Sequence, residues 1–92
     1  MPISKEQADR WQNTFNGMVR GATMPILDFL EKNSDSFYSF DEILAEIKDI
    51  VNIREEHLQR VVVVVLSQLE IRLHRIVSCR IGNVTYYRHS PN

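Results

Sequence analysis

The segment NIREEHLQRVVVVVLSQLEIRLHRIVSCRIGNVTYYRH, residues 52–89, decides the fold of this 92-residue chain. Its first part, residues 52–73, has the apolar spacing of one helix face, and Asn52 is a candidate N-cap with Glu55 as its reciprocal partner. The valines at 61–65 could instead form a buried strand, because β-branched residues lower helix propensity. We predict a helix, since the helical spacing extends beyond the valines on both sides. The residues on its core face are Leu58, Val61, Val62, Val65, Leu66 and Leu69.

The second part of this segment, residues 76–89, has the pattern of a β-hairpin. Gly82 and Asn83 fit a two-residue turn between strands at 76–81 and 84–89. This register gives one mostly apolar face and one mostly polar face. We expect the apolar face to pack inward, with Cys79 as a small core residue. That face consists of Val77, Cys79, Ile81, Val84, Tyr86 and Arg88.

Two capping boxes mark helices earlier in the chain. Residues 39–42, Ser-Phe-Asp-Glu, predict a short helix that ends near residue 49. Ser4 and Gln7 start a first helix, which we expect to end near residue 20 because Gly17 and Gly21 weaken it.

A further short helix is predicted from Thr23, a candidate N-cap, with Pro25 in its first turn. The fold class is then α+β, mainly helical with a C-terminal β-hairpin. We predict a single domain that consists of an additional N-terminal helix, residues 1–22, and a core at residues 23–89.

The charge of the chain limits the partners that it can attract. The formal net charge is −1, so the surface is not uniformly basic. Residues 1–52 carry 5 basic and 9 acidic side chains, whereas residues 53–92 carry 6 arginines and 3 glutamates. The arginines of the second half suit bidentate contacts with phosphate or guanine.

Several classes of function are disfavoured by the residues present. The spacing of a metal site is absent from His57, His74, His89 and Cys79, so we expect no bound metal or cofactor. No catalytic motif is recognisable, so we do not expect the protein to be an enzyme. A single cysteine cannot form an internal disulfide and fits a cytoplasmic protein. The apolar run at 61–66 is far shorter than the roughly 20 residues that span a bilayer. We therefore expect no membrane partner, and we recognise no signal peptide.

The segment Met24–His89 resembles the winged helix-turn-helix superfamily of bacterial and archaeal transcription regulators. The resemblance is carried by residues 25–30, residues 39–43, Leu66 with Leu69, and Ile76 with residues 86–88.

This resemblance implies a winged helix-turn-helix with an extra N-terminal helix and double-stranded DNA as its partner. The third helix would enter the major groove, and the hairpin, or wing, would lie against the backbone. The implied DNA contacts are Arg54, His57, Gln59 and Arg60 on the helix, and Arg75, Arg80, Thr85, Tyr87 and Arg88 around the wing.

Two departures from the superfamily pattern stand beside the resemblance. A glycine usually separates the third helix from the wing, but here residues 73–76 read Leu-His-Arg-Ile, and the wing tip is only two residues long. Glu55 and Glu56 do not suit phosphate, and they stabilise a helix N-terminus instead. The arginines near the wing form either a track for phosphates or a solvated surface paired with acidic residues of the N-terminal half.

Apolar side chains outside the predicted core indicate a protein interface. These side chains form apolar stripes on the first and third helices. The stripes must be covered by packing, either within one chain or across a two-fold axis. We predict a homodimer, because the core of one chain of this size is small. A winged-helix module that binds another protein, without DNA, is the alternative function. The candidate interface residues are Trp11, Phe15 and Met18 on the first helix, and Val64 and Ile71 on the third.

Overall fold

The computed structural model describes residues 2–90, and it is an α+β protein, as the sequence predicts. Three α-helices precede a hairpin, and a short strand before the second helix extends that hairpin to a three-stranded antiparallel sheet. The elements are α1 (Lys5–Lys32), β1 (Tyr38–Ser39), α2 (Phe40–Ile47), α3 (Glu55–Ser67) with a π-helical turn (Gln68–Arg72), β2 (Ile76–Ile81) and β3 (Val84–His89).

The helix α1 is continuous over 28 residues, so the predicted end near residue 20 and the separate helix from Thr23 are wrong. The Thr23 hydroxyl donates to the carbonyl oxygen of Val19 at 2.7 Å, so this side chain bonds back into the helix instead of capping a new one. Each mid-helix glycine costs roughly 1 kcal/mol relative to alanine. Burial of Ala22 and Ile26 offsets that cost.

The length of α1 sets the shape of the molecule, whose principal extents are 46 × 26 × 25 Å. Residues 5–14 are all exposed, so the rest of the fold covers little of the first half of α1. Although α1 is long, neither it nor any other helix within residues 2–90 is apolar enough to cross a membrane.

The other helix boundaries test the capping predictions. The boxes at Ser4 and Ser39 are both formed. The N-cap of α3 is Arg54, without a side-chain capping bond, so the predicted cap at Asn52 is wrong. The valine run is helical, which confirms the helix over the alternative strand.

The core lies mainly between α1 and α3, and β2 closes one end of it. Its buried apolar residues come from every helix, and Ile76 is the single contribution of β2. Partly buried side chains, including Phe15, Met18, Val64 and Tyr87, pack around this cluster. The fully buried side chains of largest volume are Ile26, Leu30, Ile43, Ile47, Leu66, Leu69, Ile76, Val61, Val62 and Val65.

The hairpin has the predicted register but presents the opposite face to the core. Ile81 pairs with Val84, and Ile76 pairs with His89. Ile76 is buried and Tyr87 packs against the core, whereas Cys79 is exposed, so the expected inward face is wrong. The reason is that the chain enters β2 with Ile76 already facing the end of α3. The exposed face consists of Val77, Cys79, Ile81, Val84 and the half-buried Tyr86.

The connection from α3 to β2 replaces the expected glycine with a histidine. The π-helical turn widens the end of α3, and His74 then adopts a left-handed backbone with φ 52°. The backbone N–H of Arg75 donates to the carbonyl oxygen of Leu69 at 2.8 Å, which is one residue further back than in the usual Schellman end of an α-helix because the last turn is π-helical. His74 thus occupies the position at which glycine is preferred.

We predict that His74→Gly raises the free energy of unfolding by about 0.5–1 kcal/mol, because glycine adopts a left-handed backbone without the steric cost that a side chain imposes. Urea unfolding followed by circular dichroism measures the change. Arg75→Gly is the matched control and should be destabilising, since Arg75 does not have a positive φ. A loss of stability in His74→Gly would contradict the prediction.

Candidate nucleic-acid interface

The side of α3 that faces away from the core carries Gln59 and Arg60, two of the residues predicted to contact DNA. Glu56, Gln59, Arg60 and Val63 are exposed there. Val63 is 51% exposed, although valine is the residue that fills the core on the opposite side of this helix. Among residues 2–90, no side-chain hydrogen bond or ion pair engages Gln59 or Arg60. Both side chains are therefore available for a partner.

The start of α3 carries more negative than positive charge. Asp41, Glu55 and Glu56 line an open groove between α2 and α3, and Lys48 also borders it. The Arg54 guanidinium lies 3.3 Å from the Glu56 carboxylate, with both side chains largely exposed. Such an exposed pair contributes little to stability, but it lowers the net positive charge that Arg54 offers to phosphate.

The predicted contact residue His57 lies against α1. Its ring centroid is 4.9 Å from that of Trp11, and its Nε2 atom lies 3.6 Å from a Glu56 carboxylate oxygen. Because the ring is half-buried, this histidine helps to attach the start of α3 to α1 and is only partly accessible to a ligand.

The wing arginines fall into two groups. Arg75 and Arg80 are exposed, and the Arg80 Nε donates to the carbonyl oxygen of Gly82 at 3.2 Å, which leaves the rest of its guanidinium free. Arg88 instead donates to the carbonyl oxygen of Ser34 at 2.6 Å and lies over the Phe37 ring at 5.8 Å. Arg88 therefore joins β3 to the turn after α1, and its half-buried side chain is less accessible to a phosphate than that of Arg80.

Tyr87 also has a structural position. Burial, and secondarily the nearby Glu70 carboxylate, raises the pKa of its phenol above 10.0. Glu70 accepts a hydrogen bond from the Ser78 hydroxyl, which joins the end of α3 to β2. Sequence analysis missed Glu70, because nothing in its spacing indicates that these two elements meet.

Thr85, by contrast, is half-exposed and lies opposite Arg80 near the wing tip.

The apolar interface candidates are covered to different degrees within one chain. Phe15, Met18 and Val64 pack against the core, and Trp11 lies 6.1 Å from Phe15 between ring centroids. Ile71, on the π-helical turn, is 68% exposed and is not joined to this group. The structure therefore brings together the α1 stripe and Val64, and leaves Ile71 as a separate exposed residue.

Comparison with protein-family models, with curated proteins and with solved structures found no match to this chain. The function is therefore inferred from the geometry.

We expect Tyr87 to make stability fall at high pH. An unfolded tyrosine ionises near pH 10, and the folded state holds the pKa of Tyr87 higher. The contribution of Tyr87 to the free energy of unfolding is therefore full below pH 10, and it is lost as the pH rises through the pKa of Tyr87 in the folded state. An ultraviolet titration should show one tyrosine that ionises late in the wild type, and this late ionisation should be absent in Tyr87→Phe.

Glu70→Gln separates the two causes of the raised pKa. Because burial is the larger cause, the variant should lower the pKa of Tyr87 only part of the way towards 10.0. A return to the ordinary value in Glu70→Gln would show that charge, and not burial, dominates.

Proposed function

We propose that this chain is a winged helix-turn-helix protein that binds double-stranded DNA and acts as a cytoplasmic transcription regulator. The observation that carries the proposal is the order helix, strand, helix, helix, strand, strand, with the sheet order β1-β3-β2. This order supports a winged helix in which the outer side of α3 remains open to a groove. The exposed Gln59 and Arg60 are the residues best suited to use it.

The chemistry of α3 favours contacts with base edges over contacts with phosphates. A guanidinium such as that of Arg60 can donate two hydrogen bonds to guanine, and an amide such as that of Gln59 can bind adenine in the same bidentate manner. Glu56 repels phosphate but can accept a hydrogen bond from the cytosine amino group. An acidic residue at this position is therefore compatible with a helix in the major groove.

The wing supplies the contacts with the backbone in this proposal. Arg80 and Thr85 face each other across the hairpin, one pair away from the residues that flank the turn, so both can reach one phosphate. Arg75 is exposed one residue before β2 and can hold a second phosphate. Arg54 contributes less because Glu56 lies beside it.

We predict that Arg80→Ala weakens DNA binding and lowers the slope of log affinity against log salt by about one unit, because it removes a phosphate contact. Arg60→Ala should cost about 1–3 kcal/mol and relax the base preference at the position that Arg60 contacts. Arg88→Ala is the matched control and should leave the slope unchanged. Its guanidinium is already bound to the carbonyl oxygen of Ser34. Fluorescence anisotropy with a labelled duplex measures all three slopes. An unchanged slope in Arg80→Ala together with an unchanged affinity in Arg60→Ala would exclude this geometry.

A ¹⁵N NMR titration with short duplex DNA at low salt locates the surface directly. The proposal expects shifts confined to residues 54–60 and 80–85 that are reversed by added salt. No shifts on addition of DNA, with the line widths of a dimer, would instead favour the second candidate function.

That second candidate is a protein–protein interaction module, and the exposed face of the sheet favours it. Val77, Ile81 and Val84 project into solvent from adjacent strands, and Ile81 is 67% exposed. A contiguous apolar face of this kind usually marks an interaction surface.

A further inference from the structure

The face of α1 that points away from the core is exposed along its whole length. Core residues such as Val19, Ile26 and Leu30 occupy one side of this helix. At 100° per residue, the opposite side has two glycines at its centre and charged residues towards both ends. The residues that define this exposed face are Glu6, Arg10, Gly17, Gly21, Asp28 and Lys32.

The charges on this face are arranged symmetrically about its centre. The midpoint of Gly17 and Gly21 is residue 19, and Arg10 lies nine residues before it while Asp28 lies nine residues after it. Glu6 and Lys32 lie thirteen residues before and after the same point. In both pairs the two members have opposite charge. An antiparallel copy of the helix, centred on residue 19, would therefore place every one of these charges beside its opposite.

We propose that two copies of the protein associate through this face, with their α1 helices antiparallel and crossing at Gly17 and Gly21. Each Arg10 then pairs with Asp28 of the second copy, and each Glu6 pairs with Lys32. A two-fold axis repeats both pairs, so the face is complementary to itself. The pairs set direction and register, because a parallel arrangement would bring like charges together.

The glycines at the crossing point have no evident role within one chain. A Cβ atom added at either position would meet nothing within 4 Å, and neither residue has a positive φ. Both nevertheless lower the stability of the helix relative to alanine. Their absence of side chains allows a second helix backbone to approach closely, which is the usual reason for small residues at helix crossings.

Apolar side chains flank the glycines and would be covered by the second copy. Met24 is 58% exposed on the same helix face, and Ile50 is 61% exposed beside the groove that Gly17 and Gly21 line. Arg20, the other charge near the centre, borders a groove with Val64 and points towards α3 instead. Residues 50–53 border the same groove as the two glycines, so the second copy would also contact this loop.

A charge swap tests this arrangement in the absence of DNA, so its outcome does not depend on the proposed function. Sedimentation equilibrium should show that the wild-type protein is a dimer at a concentration of about 0.1 mM. Arg10→Asp and Asp28→Arg should each raise the dimer dissociation constant about tenfold or more, since each replaces two attractive pairs with two repulsive ones. The double variant with both changes should restore the dissociation constant to within about threefold of wild type.

Arg72→Asp, on the exposed π-helical turn, makes the same change of charge outside this face and is the matched control. Its dissociation constant should remain at the wild-type value, and circular dichroism should show that all variants are folded. A monomeric wild type, or a double variant that is no tighter than the single variants, would overturn the proposal. Gly21→Ala should also weaken the dimer, while leaving the monomer folded because the added Cβ atom meets nothing within 4 Å.

Discussion

The packing of the valine-rich side of α3 against α1 is the interaction on which the rest of the structure depends. Val61, Val62 and Val65 are completely buried, and each such side chain contributes about 1.5–3 kcal/mol when removed from water. This burial outweighs the low helix propensity of five successive β-branched residues. It also holds α1 together across its glycines, and it fixes which side of α3 remains exposed.

The sequence determines local features better than it determines contacts between elements. Both capping boxes, the helical valine run and the full hairpin register were predictable, because each depends on residues that are close in the chain. The buried face of the hairpin was not, since it depends on where Ile76 meets the end of α3. The continuity of α1 was also missed, because the glycines are local signals whereas the burial that overrides them is tertiary. For the same reason, spacing alone did not show that Arg88 is bound to Ser34.

The surface combines features that favour different partners, and the structure separates them spatially. Polar and charged side chains dominate the open side of α3, whereas apolar ones dominate the exposed sheet face. The outer face of α1 has neither character, with small residues at its centre and balanced charges at its ends. The surfaces proposed for DNA, for a protein partner and for a second copy therefore lie on different parts of this small domain.

The contact between Trp11 and His57 has a practical consequence. Trp11 is the only tryptophan of the chain, and its ring lies directly against the imidazole at the start of α3. Indole emission is sensitive to the polarity and charge of its immediate surroundings. The protein therefore contains an intrinsic optical probe at the end of the helix proposed to read DNA, and a change in the angle between α1 and α3 would alter its fluorescence without any added label.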